Sequence, residues 1–402
     1  MSDIALVATL VVAFLVLISR PVRANRIWSA TVTPLASIIG SGFLVSVPLL
    51  ASAVGIWAVA AVAGLTALAY LIGGAIRYNI RFGEPIFDTA AAGHPIGSIE
   101  MLSRFALIGA YFISVAYYLV LLGAFGLKLI GWEDPVLGKG VATILILLIC
   151  GVGATKGLHG VERAEKFTVS ANMAAISALL VTLAIFCLDL PSGYGWGDVP
   201  KGPHPFDWET LRFLMGLLII VQGFETSRFM GDLYDAGTRI TAMRNAQLLS
   251  SAVYLVFFFL MIPLYPYFRS TADVAGVIDV IGRVSPWLPY IVTAGAIASQ
   301  FSASVADSIG ASGLISSTSH KRVDPRHAYL LIGAISVFVI WATDVVSIVA
   351  LASRAFALYY GLQCTVAVMI ARHRGEARRA AWFGVLAALA YVVAVLGIPA
   401  AG

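Results

Sequence analysis

Polar side chains stand inside long apolar runs at a few places, and those places carry whatever chemistry the chain has. In Gln222-Gly-Phe-Glu225 an amide and a carboxylate flank Gly223 and Phe224, about fifteen residues into an apolar stretch. An ionisable residue at that depth is costly and marks a functional site more often than not. Ser304, Asp307 and Ser308 stand at i, i+3 and i+4, so they share one helix face. Their hydroxyl and carboxylate oxygens suit a hard monovalent cation, and a lone Asp can also carry a proton. Arg354 lies well inside another apolar run. A cation there needs a partner, and Glu225, Asp307 and Asp344 are the candidates for an ion pair. Tyr111, Tyr117 and Tyr118 offer hydroxyls and ring faces, although aromatic residues at helical spacing most often only pack.

A fifth feature is backbone chemistry. Thr31-Val-Thr-Pro-Leu-Ala-Ser-Ile-Ile-Gly-Ser-Gly-Phe-Leu-Val-Ser-Val-Pro48 carries Pro34, Gly40, Gly42 and Pro48 with small hydroxyl residues between them. Glycine and proline weaken a helix, and a break in lipid survives only where protein or a cavity covers it. Unwound peptide groups near Ser37–Gly42 would offer N–H groups to an anion and carbonyls to a cation. The same glycines would equally let two helices approach closely. Both readings stand at this point.

The elements that must position these groups follow from composition. The chain has 402 residues, 60% of them hydrophobic and 12% charged, with a mean hydropathy of +0.92. Soluble domains run at roughly 45–50% apolar and about 25% charged. The sequence therefore reads as an all-α polytopic membrane protein. A span needs about 20 apolar residues. Twelve transmembrane helices are expected near 3–19, 30–54, 56–76, 105–127, 137–155, 167–188, 209–230, 245–267, 288–315, 327–343, 345–371 and 380–399. The loops expected between them include 77–104, 189–208 and 268–287. In the last, Val274, Val277, Ile278 and Ile281 have the spacing of a short amphipathic helix.

The formal charge of +5 needs no nucleic-acid partner. The basic turns Arg20, Arg23, Arg26 and Arg372, Arg374, Arg378, Arg379 fall on one side of this topology, as cytoplasmic loops require. That places the protein in the cell's inner (plasma) membrane with both termini extracytoplasmic. Trp57, Trp132, Trp208, Trp287 and Trp341 sit near span ends as interfacial anchors.

Two interrupted helices five spans apart point to an inverted repeat. Here the chain resembles the amino acid–polyamine–organocation (APC) superfamily. Ile39-Gly-Ser-Gly-Phe43 resembles its broken first core helix, and Gln222-Gly-Phe-Glu225 its broken sixth. Gly157-Leu-His-Gly-Val-Glu-Arg-Ala-Glu-Lys-Phe-Thr168 is similar to its link between core helices four and five. Gly310-Ala-Ser312 is similar to the end of core helix eight.

The resemblance implies a LeuT-like 5+5 inverted repeat with one extra helix at each end. Residues 1–26 would be the extra N-terminal helix, 27–190 the first repeat, 205–372 the second repeat and 373–402 the extra C-terminal helix. It implies secondary active symport of an amino acid or amine-containing solute by alternating access, with core helices one, two, six and seven rocking against the rest. Ser37, Ile38, Ile39, Gly40, Ser41 and Gly42 would present backbone amides to a substrate carboxylate. Tyr111, Gln222, Gly223, Phe224 and Glu225 would face the rest of the solute. Carbonyls of Ala36 and Ile39, with Ser304, Asp307 and Ser308, would hold the coupling ion, Na⁺ or H⁺. Asn172 stands where some proton-coupled members carry a lysine, which shifts proton chemistry to Asp307.

The expected partners are a small-molecule solute and the bilayer; no other cofactor is implied. A transporter-like sensor that binds without transporting, or a carrier of some other solute, is the alternative. No G-x-x-x-x-G-K-[S/T], H-E-x-x-H or G-x-S-x-G motif is present, so neither nucleotide-driven transport nor intramembrane hydrolysis is expected. Cys150, Cys187 and Cys364 read as thiols packed among helices.

Overall fold

The computed structural model describes residues 2–87, 95–132, 134–156, 162–197, 207–268, 275–319 and 322–399. Residues 157–161 of the link motif, 198–206 of the loop near 189–208 and Val274 lie outside the described residues. The principal helices are α1 (Ser2–Ile18), α2 (Arg26–Val54), α3 (Ala58–Phe82), α4 (Pro95–Leu129), α5 (Pro135–Lys156), α6 (Glu162–Leu188), α7 (Trp208–Met215), α8 (Ala236–Leu260), α9 (Leu288–Thr318), α10 (Pro325–Ala342), α11 (Val345–His373) and α12 (Ala377–Leu396). There is no strand among the described residues.

All twelve expected positions are helical, the seventh only in part. Among the described residues, seven helices are long and apolar enough to cross a membrane, with α2 and α3 counted together as Arg26–Phe82. Asp3–Ile18 and Arg326–Ala342 are apolar but shorter. Interrupted α7, with eight residues, is too short to qualify, and Ser-rich α9 is long enough but more polar. The loop expected near 77–104 is shorter than predicted, since α3 runs on to Phe82 and α4 starts at Pro95. Polar turns extend both helices beyond their apolar windows. The expected amphipathic helix is present as Val277–Gly282, with Val277, Ile278 and Ile281 buried.

Side-chain ties identify the two ends of the bundle. Arg26–Asp235, Arg239–Glu84 and Tyr78–Glu376 join residues at the basic end. Lys128–Asp279, Asp3–Ser285 and Arg212 to the Leu396 carbonyl join residues at the opposite end. Trp57, Trp132, Trp208, Trp287 and Trp341 are all exposed.

The packing repeats itself. Helix α4 packs on α9 and α11, and α9 packs on α6, as an exchange of α2–α6 with α7–α11 requires. The outlying helices follow the same exchange: α1 lies along α6, and α12 along α11. Phe14 of α1 meets Phe167 of α6 edge to face at 5.4 Å.

Helix α2 corrects one expectation. It runs unbroken from Arg26 to Val54, with Pro34 and Pro48 inside it. Its small residues serve close packing instead. A Cβ on Gly42 would lie 2.5 Å from the Cα of Ile220, and one on Gly40 would lie 2.8 Å from Ser299 Oγ. The backbone of α2 is thus pressed against the neck of α7 and against α9. In this structure the amides of Ser37, Ile38, Ile39, Gly40, Ser41 and Gly42 belong to a continuous helix rather than to an open anion site.

Candidate functional site

The second expected break is present. After α7 ends at Met215, the chain makes a 3₁₀ turn at Leu218–Val221, is extended at Gln222, takes φ +115° at Gly223, and makes a second 3₁₀ stretch at Phe224–Phe229. Gly223 is required twice over. Its φ favours glycine, and a Cβ there would collide with Ser37 of α2. The freed backbone groups find side-chain partners, as burial demands. The Ile219 N–H donates to Ser353 Oγ at 2.9 Å, and Tyr254 donates its hydroxyl to the Ile220 carbonyl at 2.5 Å, with the Ile38 carbonyl of α2 3.3 Å from the same oxygen.

Around this break Glu225 is fully buried. Its Oε2 accepts the Gly223 N–H at 3.0 Å and the Tyr360 hydroxyl at 2.7 Å. Phe224 stacks on Tyr360 with ring centroids 5.0 Å apart. Gln222 Nε2 donates to the Tyr118 hydroxyl at 2.7 Å. The expected quartet Gln222, Gly223, Phe224 and Glu225 therefore forms one buried cluster with α4 and α11.

Beside it is a cavity of about 180 Å³ between α2, α4, α6, α9 and the 3₁₀ segment that follows Gly223. Ala36, Ser37, Tyr111 and Asp307 line it, with Ser299, Ser302 and Thr226. Asp307 is the one lining residue among the described residues whose side chain is a carboxylate, and no lysine, arginine or histidine joins it. Its Oδ2 accepts the Ser114 hydroxyl from α4. Ser304 and Ser308 are buried next to it on α9, but each donates to its own helix, to the Phe301 and Ser304 carbonyls, both at 2.7 Å.

A second, smaller cavity of about 20 Å³ gathers Ile39, Gly40, Gly42, Asn172, Ser299 and Gln300. Gln300 Nε2 donates to the Gly40 carbonyl at 2.7 Å. Asn172 thus faces α9 near Gly295, where a Cβ would lie 2.9 Å from Asn172 Oδ1. Gly295 precedes Asp307 by twelve residues, roughly 18 Å along a helix. The expected grouping of Asn172 with Asp307 is not formed, because the register of α6 against α9 sends Asn172 to the other cavity.

Arg354 also departs from expectation. It is exposed, and its Nε donates to the Ala394 carbonyl at 2.8 Å. It caps the end of α12, where unpaired carbonyls and the helix dipole favour a cation. It makes no ion pair with Glu225, Asp307 or Asp344.

Sequence reasoning missed Ser114, Tyr254, Ser353 and Tyr360. Ser114 was findable, because Tyr111, Ser114 and Tyr118 stand at i, i+3 and i+7 on one face of α4. Ser353 and Tyr360 share a face of α11 by the same spacing, but nothing in the sequence aims that face at the broken helix. Tyr254 carries no such signal.

The described residues thus form an apolar helical bundle with an interrupted helix, a buried carboxylate at the interruption and a cavity beside it. A family profile described as "APC superfamily transporter" matches residues 20–397, and the chain belongs to that superfamily. An uncharacterized protein of Aquifex aeolicus (strain VF5) is 37% identical over 374 residues, covering 92% of this chain and 90% of that one. Among solved structures, MhsT in complex with L-phenylalanine matches with a TM-score of 0.62 at 14% identity, covering 94% of this chain and 97% of that chain. That match establishes the LeuT-like fold.

Proposed function

We propose that this transporter is a secondary active symporter of a small amine-bearing solute, an amino acid in the first instance, and that a proton carried by Asp307 couples it. The observation that carries the reading is the Asp307 carboxylate in a cavity lined otherwise by hydroxyls and apolar groups. The lining hydroxyls of Ser37, Thr226, Ser299 and Ser302 can accept from an ammonium group while Asp307 carries the proton. The cavity's volume, below the roughly 300–1,000 Å³ of sites for drug-sized ligands, suits a small solute. The solved fold neighbour MhsT was crystallised with an amino acid, L-phenylalanine.

Coupling by a proton is favoured over Na⁺ by the state of α2. Ala36 and Ile39 lie inside a continuous helix, where each carbonyl already accepts one helical hydrogen bond, so no unwound helix end presents unpaired carbonyls to a sodium ion. The Ser304 and Ser308 hydroxyls donate to carbonyls of their own helix, and neither residue lines the cavity that holds Asp307. A proton needs only the carboxylate. Coupling follows if the outward- and inward-facing orientations differ in affinity for the protonated site.

The two repeats are assigned to 27–190 and 205–372, flanked by extra helices in 1–26 and 373–402. The basic end faces the cytoplasm across the inner membrane, and both termini face outward. Purified protein in liposomes tests the function directly. Labelled amino acids and amines are offered under an imposed pH gradient and, separately, an imposed Na⁺ gradient. Concentrative uptake driven by the pH gradient alone is expected. Uptake driven only by sodium removes the proton assignment, and no uptake of any amine-bearing solute removes the substrate class.

A further inference from the structure

At the basic end of the bundle, α1 ends at Ile18 and the chain turns through a short helix, Arg20–Ala24, into α2. Arg20 and Arg23 stand at i and i+3, so they share a face of that turn. Both are exposed. Arg26 pairs with Asp235, whereas neither Arg20 nor Arg23 pairs with a carboxylate among the described residues.

Arg23 lines a cavity of about 120 Å³ together with Leu17 of α1, Trp28 and Val32 of α2, and Phe167 and Ser170 of α6. Among the described residues, no carboxylate lines it. Helix α1 lies along α6 without comparable packing on α2, and the cavity occupies the gap that this leaves. It is distinct from the solute cavity. Val32 and Ser170 line it, whereas their chain neighbours Thr33 and Val169 line the cavity that holds Asp307. The two spaces stand back to back across the contact between α2 and α6.

The chemistry of the groove changes along the membrane normal. Arg20 and Arg23 lie beyond the end of α1, where headgroups sit. Trp28 supplies an indole near that level, as membrane interfaces favour. Deeper along α1, Phe14 meets Phe167 edge to face at 5.4 Å. Phe167 is 62% exposed, and Val12, Leu15 and Val16 of α1 are exposed too, so this wall faces acyl chains. Cations above an apolar groove complement a lipid with a negatively charged headgroup. A free anion gains nothing from the apolar wall, and a zwitterionic lipid brings no net charge to the arginines.

We propose that the groove between α1, α2 and α6 seats one anionic phospholipid, with its phosphate on Arg23, Arg20 beside it, and one acyl chain along Leu17 and Phe167. Helix α1, which lies outside the two repeats, supplies one wall of this seat.

The test is native mass spectrometry of the full-length protein in detergent, titrated with dioleoyl phosphatidylglycerol or dioleoyl phosphatidylcholine. The first phosphatidylglycerol should bind tighter than phosphatidylcholine by about tenfold or more, as two arginines at the membrane surface allow. Arg23→Gln should weaken that first phosphatidylglycerol by about fivefold, the effect of one surface arginine. Arg378→Gln removes an exposed charge elsewhere at the basic end and should change nothing. Equal binding of the two lipids, an unchanged Arg23→Gln, or an equal loss in Arg378→Gln overturns the proposal.

Two further variants fill the groove and leave its charges in place, Leu17→Trp from α1 and Ser170→Leu from α6. Gel filtration and thermal unfolding without lipid identify which of them fold, and either one suffices. Each folded variant should lose the first phosphatidylglycerol. Its retention at wild-type affinity would mean that the arginines merely attract lipid to the surface, and the groove is then refuted. Inorganic phosphate at the lipid's concentration should displace nothing. Displacement by phosphate alone would assign the site to a free anion and overturn the lipid.

Discussion

Ser114 on α4 donates its hydroxyl to the carboxylate of Asp307 on α9, so the cavity's lone carboxylate is oriented by an uncharged neighbour. A neutral donor fixes the geometry without neutralising the group, which leaves the carboxylate free to take up a proton. Asp307→Asn keeps an acceptor for Ser114 and removes the exchangeable charge. Its stability should change by about 1 kcal/mol or less, while gradient-driven uptake is lost. Thermal unfolding and liposome uptake measure the two effects. Concentrative uptake at the wild-type rate would refute the coupling role.

The contact between α2 and the break in α7 depends on glycine. Gly42→Ala places a methyl 2.5 Å from the Ile220 Cα, and backbone there cannot yield cheaply. Gly223→Ala meets Ser37 and must also hold φ at +115°. Each should destabilise by about 1–3 kcal/mol or more. Gly64→Ala is the control. Nothing lies within 4 Å of its Cβ position, and in a helix alanine should add up to about 1 kcal/mol. Thermal unfolding in detergent ranks the three.

Tyr360 gives Glu225 one of the two hydrogen bonds seen at its Oε2. Tyr360→Phe keeps the stacked ring on Phe224 and deletes that donor. Loss of a partner from a buried acceptor costs about 1–3 kcal/mol. The expected result is lower thermal stability together with a raised KM for uptake, because the segment carrying Thr226 loses its register. Unaltered KM would detach Glu225 from the cargo path.

Arg354 caps α12 through the Ala394 carbonyl. Arg354→Gln should cost about 1 kcal/mol or less and leave the KM of uptake unchanged. A large KM change would instead place this side chain in the solute path.

Asp344 opens α11 by accepting the Val346 N–H at 3.0 Å, the Ser347 N–H at 2.8 Å and the Ser347 hydroxyl at 2.6 Å. Partial burial raises its pKa, but the Ser347 and backbone bonds together outweigh that and hold it below the ordinary 3.8. A depressed folded pKa stabilises above the unfolded value and ceases to do so as pH falls through the folded one. Asp344→Ala should therefore lower stability by about 1 kcal/mol at neutral pH. The gap from wild type should shrink below pH 3.8. A gap of constant size from pH 7 down to pH 3 would rule out the charged cap.

The membrane architecture and the break at Gly223 were legible in the residues. Long apolar runs have no stable soluble alternative, and a glycine beside Glu225 inside such a run has few roles other than an interruption. Asp307 was legible for the same reason, as a carboxylate lipid will not accept. The fate of Gly40 and Gly42 was not, because a glycine-rich stretch can either unwind or pack closely. Only the nearness of Ile220 and Ser299 chose packing. Likewise, the sequence places Asn172 on a helix but not opposite any particular turn of α9, and it places Arg354 in an apolar run without saying that its side chain turns outward to α12. Which residues lie on an element follows from local chemistry, whereas which face meets which neighbour depends on helix register, and register is set by all the contacts of the bundle at once.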